Sequence, residues 1–179
     1  MRTMLRMARL VDRLNDGAGQ VAIWCVLLSC LISAGNASIR YTFSWSSNAW
    51  LEIQWYLFAY LVMLGAAQTL RRNEHVRVDV LYGRFAPRTK AWVDLVGLIV
   101  FLIPVTALLA WMSWPLFREA WVSGEYSGNA GGLIRWPAKL ALPLGFALLT
   151  LQGLGEIVKR VGYLRGLHRM DTQYERPLQ

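Results

Sequence analysis

Four long apolar stretches alternate with short clusters of arginine and lysine along the chain. The stretches cover residues 17–39, 53–70, 95–117 and 140–155, and none of them contains a charged side chain. A helix needs about 20 mostly apolar residues to cross the hydrocarbon core of a bilayer. The fourth stretch reaches this length if Lys139 and Glu156 extend to the interface. The pattern predicts an all-α integral membrane protein with transmembrane helices at about residues 17–39, 50–70, 93–117 and 138–157.

The basic residues are divided unequally among the segments that flank these spans. The N-terminal tail, the second loop and the C-terminal tail carry 15 of the 19 lysines and arginines. Because basic residues favour the cytoplasmic side of a membrane, this predicts that both termini are cytoplasmic. Tryptophans near the predicted ends of the spans, such as Trp55, Trp92 and Trp136, fit interfacial positions. Residues 158–179 are predicted to form a basic cytoplasmic tail, and residues 17–157 the four-helix transmembrane domain.

The first 16 residues are predicted to form a separate amphipathic helix that lies on the cytoplasmic membrane surface. On a helical wheel one face is apolar, with Met4, Met7, Ala8, Val11 and Leu14, and arginines occupy the opposite face. The alternative is a helical extension of the first span beyond the membrane. The net charge of +8 comes from short clusters beside the spans, which indicates topology and contact with lipid headgroups rather than nucleic-acid binding.

The side chains that catalysis, ion coupling or cofactor binding would require are scarce in the spans. The only histidines, His75 and His168, lie in predicted cytoplasmic segments, so ligands for a haem or a metal ion do not converge inside the bundle. Cys25 and Cys30 are interpreted as small packing residues, and no disulfide is expected. We therefore expect a protein that is not an enzyme, has no cofactor and transports nothing on its own.

The third loop, roughly residues 118–138, is the longest segment on the predicted outer side. It contains a run of serine and glycine residues between positions 123 and 132. Such residues break regular structure. The sequence therefore predicts an exposed, flexible loop that a soluble partner can reach.

The densest polar signal surrounds the second span. A lone carboxylate near the outer interface, Glu52, is expected to be hydrogen-bonded or paired rather than exposed to lipid. Small residues later in the span are suited to close helix packing. We predict that one set of residues forms partner contacts or a structural motif: Trp50, Glu52, Gly65, Ala66, Ala67, Arg71, Arg72, His75 and Asp79.

This constellation resembles the small, DctQ-type membrane subunit of the tripartite ATP-independent periplasmic (TRAP) transporters. In that family a tryptophan and a glutamate open the second span, and a Leu-Gly-Ala-Ala-like patch, a basic exit and a His-Val-x-Val-Asp motif follow. Here these are Trp50, Glu52, residues 64–67, residues 71–72 and residues 75–79. Residues 123–127, 131–132, 136–137, 142–146 and 151–153 are similar to the family's third loop and fourth span. One departure is at residues 53–54, Ile and Gln, where many members carry a second acidic residue.

The resemblance implies a non-catalytic small permease subunit in the bacterial inner membrane. Its implied partners are a large multi-span subunit, which carries the substrate and sodium sites, and a periplasmic substrate-binding protein. Organic acids or related solutes are the implied substrates, and the small subunit is expected to scaffold the large one and to contact membrane lipids. Two alternatives stay open. One is an oligomeric small channel, with Ser29, Ser33 and Asn36 as its polar stripe, and the other is a membrane assembly factor.

Overall fold

The computed structural model describes residues 1–73, residue 82 and residues 85–167. Within these residues the chain consists of long helices, short loops and one isolated β-bridge. Helix α1 covers Arg2–Phe43, α2 covers Asn48–Arg72, α3 covers Pro87–Ser123 and α4 covers Trp136–Leu164. These four helices are each long and apolar enough to cross a membrane. The predicted all-α fold with four candidate spans is therefore confirmed.

The local sequence explains where several helices begin and end. At the start of α2 the Ser47 hydroxyl accepts a hydrogen bond from the Ala49 N–H at 3.3 Å. Ser44 and Asn73 follow α1 and α2 in the left-handed conformation, with φ of 50° and 59°. Gly124 follows α3 in the same conformation, with φ of 61°. A left-handed residue ends a helix because it turns the chain away from the helix axis.

Helix α3 contains a π-helical turn, Leu98–Leu102, shortly before Pro104. Proline has no N–H, and its ring crowds the carbonyl group four positions earlier in an α-helix. The wider turn, in which the Ile103 N–H bonds to the Leu98 carbonyl, accommodates the proline. The turn lies against Gly153 of α4, where a Cβ atom would come within 2.6 Å of its side chains. The absence of a side chain at Gly153 thus lets α3 and α4 approach closely.

Helix α4 is the centre of the arrangement because it packs against each of the other three helices. Helices α1 and α2 also pack against each other, whereas α3 makes its main contacts with α4. A larger share of the apolar stretch is buried in α4 than in any of the others. At Gly145 of α4, an added Cβ atom would lie 2.9 Å from the Met63 carbonyl oxygen of α2. The bundle is therefore asymmetric, with α4 between α3 and the α1–α2 pair.

Helices that follow one another in the sequence run in opposite directions, so the bundle has two ends. We name the end where α1 begins and α4 finishes the terminal end, and the end that holds residues 124–135 the loop end. Helix α1 runs without a break from Arg2 through the predicted first span. Residues 2–16 are thus continuous with this span, and whether they lie on the membrane surface or extend away from it stays a prediction. Helix α4 continues to Leu164, so the tail predicted from residue 158 begins inside this helix.

Candidate functional site

At the loop end, Glu52 of α2 is a buried carboxylate that holds the loop of residues 124–135. Its side chain accepts hydrogen bonds from Asn129 Nδ2 at 2.8 Å, from the Leu133 N–H at 2.7 Å and from the Ser127 hydroxyl. Glu52 is only 3% exposed. An ionised carboxylate has several acceptor positions, and hydrogen bonds to a charged group are stronger than neutral ones. The prediction that Glu52 is hydrogen-bonded is confirmed, and its partners come from its own chain.

The loop is folded against Glu52, in contrast to the flexible loop expected from the sequence. The Ser127 N–H donates to the Leu133 carbonyl at 2.9 Å, and the Arg135 N–H donates to the Glu125 carbonyl at 2.8 Å. Gly132 makes the close turn possible, because a Cβ atom there would come within 2.5 Å of the Ser127 Cβ. Glycine and serine, which were interpreted as breakers of structure, here supply the tight turn and the hydrogen-bond donors.

Two tyrosines of α2 fix the end of the loop that leads into α4. The Tyr56 hydroxyl donates to the Ile134 carbonyl at 3.2 Å, and the Tyr60 hydroxyl donates to the Pro137 carbonyl at 2.8 Å. The two tyrosines are four positions apart, so they lie on the same face of the helix. Helix α2 therefore positions both the loop and the start of α4.

Glu125 forms ion pairs at the base of this loop. It pairs with Lys139, and with Arg135 at 3.0 Å. The hydrogen bond from Lys139, followed by that from Arg135, lowers the pKa of Glu125 below its ordinary value, since both stabilise the ionised form. This contact joins the two ends of the loop segment.

At the terminal end, polar side chains from all four helices form one connected cluster, which we name the terminal polar network. Unpaired charges and amides are costly to bury away from water, so groups at this depth pair with one another. The members are Asp12, Asn15 and Asp16 of α1, Arg71 of α2, Asp94 of α3, and Gln152, Glu156, Lys159 and Arg160 of α4.

The centre of the terminal polar network joins α1 to α4. Asn15 Nδ2 donates to Gln152 Oε1 at 2.7 Å, and Gln152 Nε2 donates to Asp12 and to Glu156, each at 2.9 Å. Lys159 Nζ bridges the same two carboxylates at 2.6 Å and 2.7 Å. One lysine and one amide therefore hold two carboxylates that come from different helices.

Ion pairs extend the terminal polar network to α2 and α3. The Arg160 guanidinium contacts Asp94 Oδ2 at 3.1 Å and 3.2 Å and also pairs with Glu156. Arg71 pairs with Asp16, and its Nε lies 3.8 Å from Asp12 Oδ1. Breaking one partner of a buried ion pair leaves an uncompensated charge, which is strongly destabilising. The network thus opposes separation of any helix at this end.

Sequence reasoning missed this network. It treated Lys159 and Arg160 as signals of membrane topology and Arg71 as part of the motif at the exit of the second span, and it did not pair any of them with a carboxylate. A signal was present in the spacing, because Gln152, Glu156 and Arg160 recur every four positions and so share one helix face. Polar residues at that spacing beside an apolar span indicate a polar face directed into a bundle.

The described residues among those predicted for partner contacts or a structural motif are spread along α2. Glu52 and Ala67 are buried within the chain, and Arg71 belongs to the terminal polar network. They therefore act on the bundle itself. Trp50 lies at the loop end with Glu52, about six helical turns from Arg71 on the same helix.

The remaining members of that set retain exposed surface or lie outside the described residues. Gly65 and Ala66 are half-buried, and Arg72 is exposed. Gly65 has no heavy atom within 4 Å of the position its Cβ would take, and it borders a groove between α1 and α2. His75 and Asp79 lie outside the residues that the structure describes.

Between the two ends, a hydroxyl pair connects α3 to α4, with the Thr150 hydroxyl donating to that of Thr106 at 2.8 Å. Within the described part of the chain, no group of three or more histidine, cysteine, aspartate and glutamate side chains is placed to hold a metal ion. The polar side chains described above are paired with one another at the two ends. Their arrangement is suited to holding helices together.

Comparison with known proteins identifies the family. The family described as "Tripartite ATP-independent periplasmic transporters, DctQ component" matches residues 29–162, which include α2, α3 and most of α1 and α4. No curated protein and no solved structure matches the chain. The matched region contains Glu52 with its loop and all members of the terminal polar network that come from α2, α3 and α4. The three members from α1 precede it. The chain belongs to the DctQ component family of the tripartite ATP-independent periplasmic transporters.

Proposed function

We propose that the chain is the small, non-catalytic permease subunit of a TRAP transporter and scaffolds the large transporting subunit. In this proposal the large subunit carries the substrate and sodium sites, and a periplasmic binding protein delivers organic acids or related solutes. The complex lies in the bacterial inner membrane. Both termini are cytoplasmic, so the terminal end faces the cytoplasm and the loop end faces the periplasm.

The observation that carries the scaffold role is the terminal polar network, which ties all four helices together at one end. A scaffold must keep its own shape while its partner moves. Separating a helix here exposes a charge without a partner, and breaking a buried pair costs about 3–5 kcal/mol. Glu52 and its loop give the opposite end a second point of fixation.

Four of the predicted contact residues keep surface that a partner can reach. Trp50, Gly65 and Ala66 are half-buried and Arg72 is exposed, and all four lie on α2. We propose α2 as a contact helix for the large subunit. Buried Glu52 and Ala67 would then support this surface from inside the chain.

The test combines co-purification with transport. A C-terminally tagged chain, solubilised in mild detergent, is expected to bring down one many-span membrane protein in stoichiometric amount. Transport in proteoliposomes is expected only when both proteins and the binding protein are present. The isolated chain is expected to bind no substrate, so substrate-saturable binding to it would contradict the proposal.

The same transport experiment is repeated with the variant Arg160→Met, which removes a cation of the terminal polar network. Arg165→Gln, which changes an exposed arginine of the same region, is the matched control. Loss of Arg160 removes the guanidinium that joins Asp94 of α3 to Glu156 of α4, so transport is expected to fall while the substrate affinity of the binding protein is unchanged. A homo-oligomer that conducts ions would favour the small-channel alternative. Full transport after the chain has been removed from an assembled complex would favour the assembly factor.

A further inference from the structure

The terminal end contains a cavity of about 240 Å³ between three helices. It is lined by Leu5, Arg9 and Asp12 of α1, Arg71 of α2 and Lys159 of α4. Three cationic side chains and one carboxylate therefore face a single space. The cavity lies beside the points where the apolar stretches of α1, α2 and α4 end, which is the level of lipid headgroups.

The cationic groups have hydrogen-bond donors that their carboxylate partners do not use. Arg9 is exposed and has no ion pair among the residues that the structure describes. Lys159 directs two contacts to Asp12 and Glu156, and an ammonium group has three N–H donors. Arg71 pairs with Asp16, and a guanidinium has five N–H donors. Phosphate oxygens are suited to such donors because each bond is charge-assisted and arginine can bind two oxygens at once.

The carboxylates near the cavity are accounted for by cations other than Arg9. Asp12 accepts from Lys159 and Gln152 through Oδ1. Asp16 is paired with Arg71, and Glu156 with Lys159 and Arg160. Among the cations that line the cavity, Arg9 is therefore the one whose guanidinium has no carboxylate partner within the described residues.

An apolar groove of about 560 Å³ between α1 and α2 lies on the membrane side of this cavity. On α1 it is lined from Gly19 to Cys30, and Gly65 and Gln68 contribute from α2. The α1 residues of the cavity and of the groove recur at steps of mostly three and four, so they follow one face of the helix. At 1.5 Å per residue, Gly19 to Cys30 spans about 16 Å, which is close to half of a hydrocarbon core of about 30 Å.

We infer that the cavity binds the phosphate of an anionic phospholipid and that an acyl chain of the same lipid lies in the α1–α2 groove. Arg71 of the cavity follows Thr69 of the groove by two positions on α2, so the two spaces lie close together. A cationic cavity beside an apolar groove one leaflet long matches a molecule with a charged head and a hydrocarbon tail. A free phosphate ion would use the cavity alone, and a helix of a partner protein would use the groove alone. This binding site goes beyond the scaffold role.

The experiment places the full chain in nanodiscs that contain phosphatidylglycerol and phosphatidylcholine, and counts retained lipids by native mass spectrometry. Phosphatidylglycerol is expected to be enriched. Arg9→Gln is expected to lower its retention about fivefold, which corresponds to the roughly 1 kcal/mol contributed by one basic residue near a membrane surface. Arg13→Gln, an exposed arginine of the same helix outside the cavity, is the matched control and is expected to change nothing.

A second variant tests the groove. Gly65→Leu fills open space in the groove, and Gly97→Leu on α3 is its control because that glycine also has no atom within 4 Å of its Cβ position. Only Gly65→Leu is expected to lower phosphatidylglycerol retention. Three results would overturn the inference: equal retention of both lipids, displacement of phosphatidylglycerol by inorganic phosphate, or a Gly65→Leu variant that retains as much phosphatidylglycerol as Gly97→Leu does.

Discussion

Asn15 of α1 and Gln152 of α4 form a hydrogen bond of 2.7 Å between two amide side chains that are both 0% exposed. The first and last helices are thus joined by a contact between two residues that are 137 positions apart in the sequence. Inside a membrane bundle such a bond has no water to compete with it, although measured contributions are modest. The pair gives the terminal polar network a fixed centre around which the charged groups are arranged.

This pair can be tested with a double-mutant cycle. Gln152→Leu is expected to lower the free energy of unfolding by about 1–3 kcal/mol, because it leaves buried donors and acceptors without partners. Combined with Asn15→Leu, it is expected to show a coupling energy of about 0.6–1.7 kcal/mol. Unfolding in mixed micelles with increasing SDS gives these values. Gln20→Leu, which removes an exposed amide of α1, is the control. Strictly additive losses at Asn15 and Gln152 would contradict the bond.

Glu52 is predicted to control the order of the loop at residues 124–135. Glu52→Gln removes the charge that accepts from Leu133, Asn129 and Ser127. Hydrogen bonds to charged groups contribute about 1.5–3 kcal/mol, so hydrogen exchange at the Leu133 amide is expected to accelerate roughly tenfold to a hundredfold. Glu119→Gln alters an exposed carboxylate near the same end and is expected to leave exchange unchanged. Unaltered protection in Glu52→Gln would show that the loop is ordered without this carboxylate.

Two glycines of α4 provide a matched pair for testing helix packing. At Gly145 an added Cβ would come within 2.5 Å of the Met63 Cβ, whereas at Gly155 the nearest atom, in Ala8, would be 3.9 Å away. Gly145→Ala is expected to destabilise by about 1–3 kcal/mol because overpacking forces the helices to shift. Gly155→Ala is expected to change stability by less than about 0.5 kcal/mol, as ordinary contacts do not require such a shift. Equal effects in SDS unfolding would mean that α2 and α4 are not closely packed at Gly145.

Glu125 is expected to make stability depend on pH. Its pKa in the folded protein lies below the ordinary value of about 4.3, first because of the hydrogen bond from Lys139 and then because of Arg135. The stabilisation is therefore present above the ordinary pKa and is lost as the pH falls through the folded pKa. The difference in Tm between the wild type and Glu125→Gln is expected to be positive at pH 7 and to shrink towards zero below about pH 4. A difference that is constant with pH would exclude a charge effect.

The sequence was sufficient to predict the four helices because the length and apolar character of a membrane span are local properties. It also predicted that Glu52 is hydrogen-bonded, since a lone carboxylate beside a span must find partners. The identity of those partners could not be predicted. Leu133 contributes a backbone N–H, which leaves no trace in residue type.

The terminal polar network was harder to foresee for a different reason. Asp12 and Asp16 lie in a segment that was predicted to be a separate surface helix, so they were not placed opposite Arg71 or Lys159. Their pairing depends on α1 continuing straight from Arg2 to Phe43. Whether two predicted helices join into one rod depends on packing against α4, and that information comes from tertiary structure.

The central position of α4 has a consequence for the order in which the protein is made. The chain emerges from its N-terminus, so α1 and α2 can pair with each other before the later helices exist. Helix α3 makes its main contacts with α4, which is synthesised last. Until α4 inserts, the carboxylate of Asp94 lacks Arg160, and Glu52 lacks the N–H of Leu133. Completion of the membrane domain therefore waits for the final helix, and a chain truncated before Trp136 would leave α3 without its packing surface.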